Sequence, residues 1–315
     1  MIERKLGKAT RDAYGAALVE IGKTHREVVV LDADLSKSTK TAEFGKVFPD
    51  RFFNVGIQEA NLVGVAAGLA ACGKIPFISS FACFLMSKGF DQLRMAVAFS
   101  EQNVKVVVSH GGISIGEDGA SQMSIEDIAL ACSLPGFYVM NPADEYAATA
   151  LIHQSVKHQG PVFIRTGRPK APLVYNPTTQ FQMGKGILLR EGKHITLVAN
   201  GLLVFEALQA ADLLEKEGIK AGVVDLHTVK PLDQELLLRE AKKTNHVVVA
   251  EEHQIWGGLG SAVATFLAAH HPCRMEFVAI QDTYAESGTA EGLFEKYGLT
   301  ASHIVRAAKK ALGKA

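Results

Sequence analysis

The sequence predicts an α/β protein of two domains, a doubly wound domain followed by a smaller one. Short apolar runs alternate with longer helical patterns along the chain, the signature of parallel strands joined by crossover helices. The 315 residues suffice for two domains at ~150 residues each. A stretch rich in proline and glycine near the middle separates two such series.

In the first series VVVLDA (28–33), PFISSF (76–81), VKVVVSH (104–110) and PVFIRT (161–166) read as strands. Near-continuous apolar runs of this kind are buried on both faces of a parallel sheet. Helical patterns lie around 9–24, 58–72, 87–99, 124–132 and 143–158, so residues 1–168 form the first domain. Residues 169–186, PKAPLVYNPTTQFQMGKG, hold three prolines and two glycines without periodicity and read as the linker. The second domain, 187–315, repeats the alternation. Its strands are HITLVAN (194–200), KAGVVDLH (220–227), HVVVAEEH (246–253) and MEFVAI (275–280). Helices are expected through FEALQAADLLEKEG, from Asp233, from about Leu259 and, amphipathic, at the end. This half suggests structure more than chemistry.

Lysine plus arginine and aspartate plus glutamate number 33 each, so no net charge invites nucleic acid or an anionic membrane. No apolar run approaches the ~18 residues of a membrane span. The first residues, MIERKLGKATRDAY, are charged where a secretion signal is apolar. Cys72, Cys83, Cys132 and Cys273 are scattered, without metal-ligand spacing, and read as reduced thiols of a cytoplasmic protein.

Two general motifs can be set aside. GISIG (112–116) fits the nucleophile elbow of hydrolases, but that elbow runs straight into a helix and here EDGAS follows. GGLGSA (257–262) resembles a dinucleotide loop, but Val263 stands where a third glycine is required, so close helix–strand packing explains it better. More informative is NVGIQEANLVGVAAGLAACGKIPFISSFACF (54–84). Glu59 opens a helix that is apolar on all sides and therefore expected to be buried. It is either a carboxylate buried at an interface or a helix-start carboxylate favoured by the macrodipole, and position alone does not separate the two.

The wider pattern does. VGIQEANLVGVAAGLA, SSFACF, SHGGISIGEDGAS (109–121), ATRD (9–12) and DADLSKS (32–38) together resemble transketolase, in content, order and spacing, over essentially the whole chain. The resemblance implies a pyrimidine-binding domain, a transketolase C-terminal domain and thiamine diphosphate as cofactor. Glu59 would bond N1′ of the aminopyrimidine, since a carboxyl group in an apolar site can share a proton with that nitrogen. Phe81 and Phe84 would pack on the pyrimidine, and Asp34 matches a cofactor-proximal aspartate. His110 matches a histidine that meets substrate hydroxyls or phosphate, and Asp118 an aspartate that reads a sugar hydroxyl. Arg11, Ser38 and Arg168 match the phosphate site, which suits the fork of a guanidinium. Arg165 is a further phosphate candidate, although a solvated surface charge is the commoner role of a single arginine. Without the family, the two phenylalanines read as core, His110 as a strand-end polar residue and Asp118 as a turn former.

One position departs from the family: Gln122 stands where a second histidine is usual, and glutamine cannot exchange a proton near neutrality. The family's GDG-plus-asparagine metal motif is also missing, the nearest match, GEDG (116–119), belonging to the substrate loop. The resemblance therefore implies a second chain, an N-terminal subunit that holds Mg²⁺ or Ca²⁺ and the diphosphate, in an α2β2 assembly acting on sugar phosphates, with no metal site in this one. The competing readings are the β subunit of a 2-oxo acid dehydrogenase and a non-catalytic regulatory paralogue.

Overall fold

The computed structural model describes residues 2–314. The first half contains β1 (Leu6–Ala9), α1 (Thr10–Thr24), β2 (Val28–Asp32), α2 (Ser36–Thr39), α3 (Ala42–Val47), β3 (Phe52–Asn54), α4 (Glu59–Ala71) and β4 (Ile75–Ser79). It continues with α5 (Ala82–Lys88), α6 (Phe90–Gln92), β5 (Lys105–Val108), α7 (Asp127–Ser133), β6 (Tyr138–Met140), α8 (Glu145–Ser155), β7 (Val162–Arg165) and β8 (Lys170–Pro172). The second half contains β9 (Ile187–Arg190), β10 (Ile195–Ala199), α9 (Leu203–Lys216), β11 (Ala221–Asp225), β12 (Thr228–Lys230) and α10 (Gln234–Thr244). There follow β13 (His246–Gln254), α11 (Leu259–His270), β14 (Arg274–Ile280), α12 (Ala290–Lys296) and α13 (Ala301–Ala311).

The first large sheet has the order β12-β6-β7-β5-β4-β2-β3 and is parallel except for β12. The runs expected as strands are its central members, and every residue of β2, β5 and β7 is buried. The second sheet, β14-β13-β10-β11-β9, is parallel except at its β9 edge. The halves are not independent bodies. Strand β12 comes from the second half yet completes the first sheet, and one apolar cluster runs from Leu31, Leu62 and Val106 to Val224, Val249 and Leu259.

Three expectations need correction. The stretch read as a linker is tied down: β8 pairs with β1, the Asp144 carboxylate accepts the N–H groups of Val174 and Tyr175, and the Tyr175 hydroxyl donates to Asp225 at 2.6 Å. The helix expected over 87–99 begins at Ala82, breaks at Gly89 and ends in wide π turns over Leu93–Ala98. At Gly89 a Cβ would stand 2.9 Å from the Leu85 carbonyl and 3.2 Å from Val63 of α4. Helix α4 is not buried all round. Leu62, Val63, Ala66 and Ala67 face the core, whereas Asn61, Gly64, Val65 and Gly68 face outward. Among the described residues no helix is long and apolar enough to cross a membrane.

Candidate active site

Strands β2, β4, β5 and β7 run parallel, and the loops at their C-terminal ends carry almost all of the residues singled out above. This is where open α/β sheets build their sites. Residue 59 starts α4 with a side chain that is buried at 2% exposure, and the Ser80 hydroxyl donates to its Oε1 at 3.0 Å. The exposed Lys88 ammonium stands 3.9 Å from Oε2. One residue beyond Ser80, Phe81 stacks on Phe84 (centroids 5.6 Å, planes 15° apart) and on the His110 ring (3.8 Å, 27°). Three flat rings are thus stacked in succession, starting one residue from the serine that bonds the buried carboxylate.

His110 follows β5 with φ +61°, a conformation that a bulky residue adopts only when its surroundings enforce it. Arg11 Nη1 lies 3.2 Å from His110 Nε2 and donates to the Ser38 carbonyl at 3.1 Å. Burial, then Arg11 and Arg168, push the pKa of His110 down to about 3. The ring is therefore neutral, and because Arg11 can only donate, Nε2 accepts and Nδ1 carries the proton. Nδ1 of His110 and Nε of Arg11 are both buried without a partner. Orphaned buried donors in a strained loop are a place for an acceptor-rich ligand.

Arg168 Nη1 donates to the Ile115 carbonyl at 2.5 Å and lies 3.5 Å from both Glu117 and Asp118. Gln122 is half-buried, its side-chain oxygen taking the Ser121 hydroxyl at 2.7 Å and its carbonyl taking the Cys83 thiol at 3.1 Å. Asp34 is exposed, at φ +65°, and bonded by the Asn54 amide at 2.9 Å. The structure thus links Ser38, Arg11, His110, Phe81 and Phe84 in one contiguous group, with Glu59 behind Phe81 through Ser80, and Arg168 with Asp118 on the neighbouring loop.

Arg165 is placed elsewhere. It is 3% exposed, neither a solvated charge nor free for phosphate. Its Nη1 donates to the Glu252 carbonyl and its Nη2 to the Ser124 carbonyl, each at 2.8 Å, while Nε stands 3.1 Å from Asp127. The guanidinium is thus held between the two halves by two hydrogen bonds and one ion pair. GISIG is likewise no elbow: Ser114 is buried, and helix α7 starts only at Asp127.

Sequence reasoning missed the residue that shapes the DADLSKS loop. Asp32 is fully buried and accepts Leu35 N–H at 2.6 Å and the hydroxyls of Thr39 and Thr41 at 2.6 and 2.8 Å. The available signal was an aspartate closing an otherwise apolar strand.

The sequence matches the family description "Transketolase, pyrimidine binding domain" over residues 7–173 and "Transketolase, C-terminal domain" over 184–304. The chain belongs to the transketolase family. It is similar to the "Putative transketolase C-terminal section" of Methanocaldococcus jannaschii, 41% identical over 95% of both chains. It is also similar to the "6-deoxy-6-sulfo-D-fructose transketolase subunit SqwH" of a Clostridium species, 43% identical over 95% of this chain and 92% of that one. A solved structure titled "Split gene transketolase, inactive beta4 tetramer" superposes with a TM-score of 0.92 at 49% identity, covering 98% of this chain and 99% of that one. The transketolase family implies thiamine diphosphate, and the residues at hand fit its pyrimidine: the buried Glu59 carboxylate is bonded by Ser80, and the next residue, Phe81, stacks its ring on Phe84.

Proposed function

We propose that this chain is the C-terminal subunit of a two-chain transketolase, which moves a two-carbon ketol unit from a ketose phosphate to an aldose phosphate. The observation that carries this reading is the continuous group Ser38–Arg11–His110–Phe81–Phe84 with Glu59 at its other end. One end is built for an anion and the other for a heteroaromatic ring.

When bound, thiamine diphosphate supplies a nucleophilic carbon for cleaving and forming carbon–carbon bonds. Glu59, oriented by Ser80, holds a proton at N1′ of the aminopyrimidine. Phe81 and Phe84 offer a flat wall on which that ring would pack, and Asp34, on the loop after β2, would contribute to the cofactor site. His110 stays neutral and turns Nδ1–H to a substrate hydroxyl, while Asp118 and Gln122 bond further hydroxyls. Arg11, Arg168 and Ser38 hold the terminal phosphate, for which guanidinium forks suit.

The partner subunit holds the diphosphate and its metal ion, in an α2β2 enzyme. Support comes from the outward face near Glu59, where Ile57 (69% exposed), Phe99 (79%), Met95 and Val65 leave apolar surface uncovered. It also comes from two relatives named as a C-terminal section and as a split-gene product.

A second reading concerns the donor. The SqwH relative is named for a sugar with a sulfonate in place of phosphate. Arg168 already leans on Glu117 and Asp118, which lowers the positive charge on offer. A sulfonate carries a single negative charge where a phosphate monoester carries nearly two.

The test is turnover by the chain alone and mixed with its N-terminal partner, given thiamine diphosphate and Mg²⁺. The donors are xylulose 5-phosphate and 6-deoxy-6-sulfofructose, with ribose 5-phosphate as acceptor. Activity in the mixture alone is expected, and the preferred donor chooses between the two readings. Turnover by the isolated chain would sink the split enzyme, and a stable but inactive complex would sink ketol transfer from either donor.

A further inference from the structure

The sugar-binding loop between β5 and α7 carries His110, Asp118 and Gln122, yet within it the only helical turn is Gly116–Asp118. A loop with so little structure of its own takes its shape from outside contacts. Phe81, Cys83 and Arg168 of its own domain supply some of those contacts, and the C-terminal domain supplies others. Glu252, two residues before the end of β13, is 5% exposed, and its Oε1 accepts the Ser114 N–H at 2.6 Å. Ser114 stands midway between His110 and Asp118. At Gly112, where φ is +79°, an added Cβ would lie 2.1 Å from the same Oε1, so the loop lies directly on this carboxylate. The Glu252 carbonyl takes Arg165 Nη1, Arg165 Nη2 reaches Ser124 at the far end of the loop, and Gln254 N–H donates to Ile125 at 2.9 Å. Gly112 N–H closes the loop on the Ser124 carbonyl at 2.6 Å.

We propose that Glu252 is a positioning residue that reaches from the C-terminal domain to set the sugar-binding loop, and so selects for substrates long enough to touch it. This rests on the sugar-phosphate reading above for its kinetic consequence but not for its structural one. What matters in this role is the reach of the acceptor oxygen. Glu252→Gln keeps the reach and loses the charge. Glu252→Asp keeps the charge and withdraws the oxygen by one methylene. Glu252→Ala loses both.

The first measurement is hydrogen exchange of backbone amides 111–118 in the full chain. Glu252→Ala and Glu252→Asp should speed exchange about tenfold, the loss of one buried hydrogen bond, and Glu252→Gln should recover most of the protection. The second is kinetic, in the complex with the partner, with a ketose phosphate as donor. Glu252→Ala and Glu252→Asp should raise KM for ribose 5-phosphate about tenfold. They should leave kcat/KM for glycolaldehyde, too short to reach the loop, within about twofold, since that acceptor makes none of the affected contacts. A generally weakened fold would instead lower both acceptors alike, and that result overturns the proposal. So does protection that follows charge, with Glu252→Asp like the wild type and Glu252→Gln like Glu252→Ala. If Glu252→Ala does not fold, the Gln and Asp pair decides alone. An inactive wild-type complex would count against the sugar-phosphate reading, while the exchange result would still decide the role of Glu252.

Discussion

The anion side of the candidate site and its pyrimidine side are built to different degrees of completeness. Around Arg11 and His110, this chain supplies the Ser38 carbonyl, the Phe81 ring and a loop backed by Glu252 of the other domain, leaving His110 Nδ1 and Arg11 Nε without a partner. Glu59 itself is buried, but the helix it opens is covered by this chain on one face only. Ser80 and the core face of α4 are in place, but Gly64 and Gly68 look into open space, and Ile57, Met95 and Phe99 are uncovered. A surface of that kind is unfinished in isolation. Under the function proposed above, the comparison teaches that one chain encodes most of the sugar site while catalytic competence is shared with another.

The hardest test of the pyrimidine side is Glu59→Ala. With its proton-sharing group removed, turnover of the two-chain enzyme should fall about 10²–10⁴-fold. Circular dichroism and complex formation should stay normal. Near-normal turnover would mean that the carboxylate merely starts a helix. Next comes the open face. In Gly64→Leu the new side chain meets no atom within 4 Å at its Cβ, and leucine is the better helix former by up to about 1 kcal/mol. The isolated chain should be no less stable, whereas affinity for the partner, measured by sedimentation, should drop about 100-fold, the effect of overfilling a packed contact by ~3 kcal/mol. Unchanged affinity would place the docking face elsewhere.

The anion side gives smaller effects, because several groups share the work. Arg168→Ala should raise KM for the phosphorylated acceptor about tenfold to 100-fold, the range for one charge-assisted hydrogen bond, with little change in kcat. An equal fall in kcat would show instead that Arg168 acts at the reacting centre. Comparing xylulose 5-phosphate with the sulfonated donor in the same variant sharpens the contrast between the two donor readings.

What the sequence disclosed follows the same division. The central strands were legible because parallel strands buried on both faces read as unbroken apolar runs, as in VVVLD of β2. Glu59, Phe81 and His110 were legible through motif resemblance, and the structure brings them together. Contacts between the halves were not legible, since a local pattern carries no information on what meets it from more than eighty residues away. Arg165 looked like a phosphate ligand for that reason, and its real partners include the Glu252 carbonyl. Glu252 itself left a trace, two acidic residues placed directly after the apolar run VVVA, but nothing nearby named its partner. Helix α4 shows the same limit in the opposite sense: its uniform apolarity predicts burial but not by which chain, and in this one half of it faces outward.

The smallest expected effect concerns His110. Its folded pKa is about 3, against about 6.5 when unfolded. Between those values the unfolded chain binds a proton that the folded chain refuses, so stability falls as pH drops below 6.5, at up to about 1.4 kcal/mol per pH unit. Above pH 6.5 the residue contributes no pH dependence. Asp127 and Glu251, pushed up to about 6 and about 7 by burial, act in the opposite sense between about pH 4 and 7. His227 and His253, lowered by burial to about 4 and about 3, act in the same sense as His110, so the difference between wild type and a variant is what isolates the one group. Relative to wild type, His110→Gln should gain about 1.4 kcal/mol for each pH unit below 6.5, measured by urea unfolding at pH 7, 6 and 5. Parallel curves would mean that the imidazole is hydrated and free to charge in the folded state. It could then bring a positive charge of its own to the anion, and the clean division between guanidinium groups for the phosphate and a neutral ring for the hydroxyl would fail.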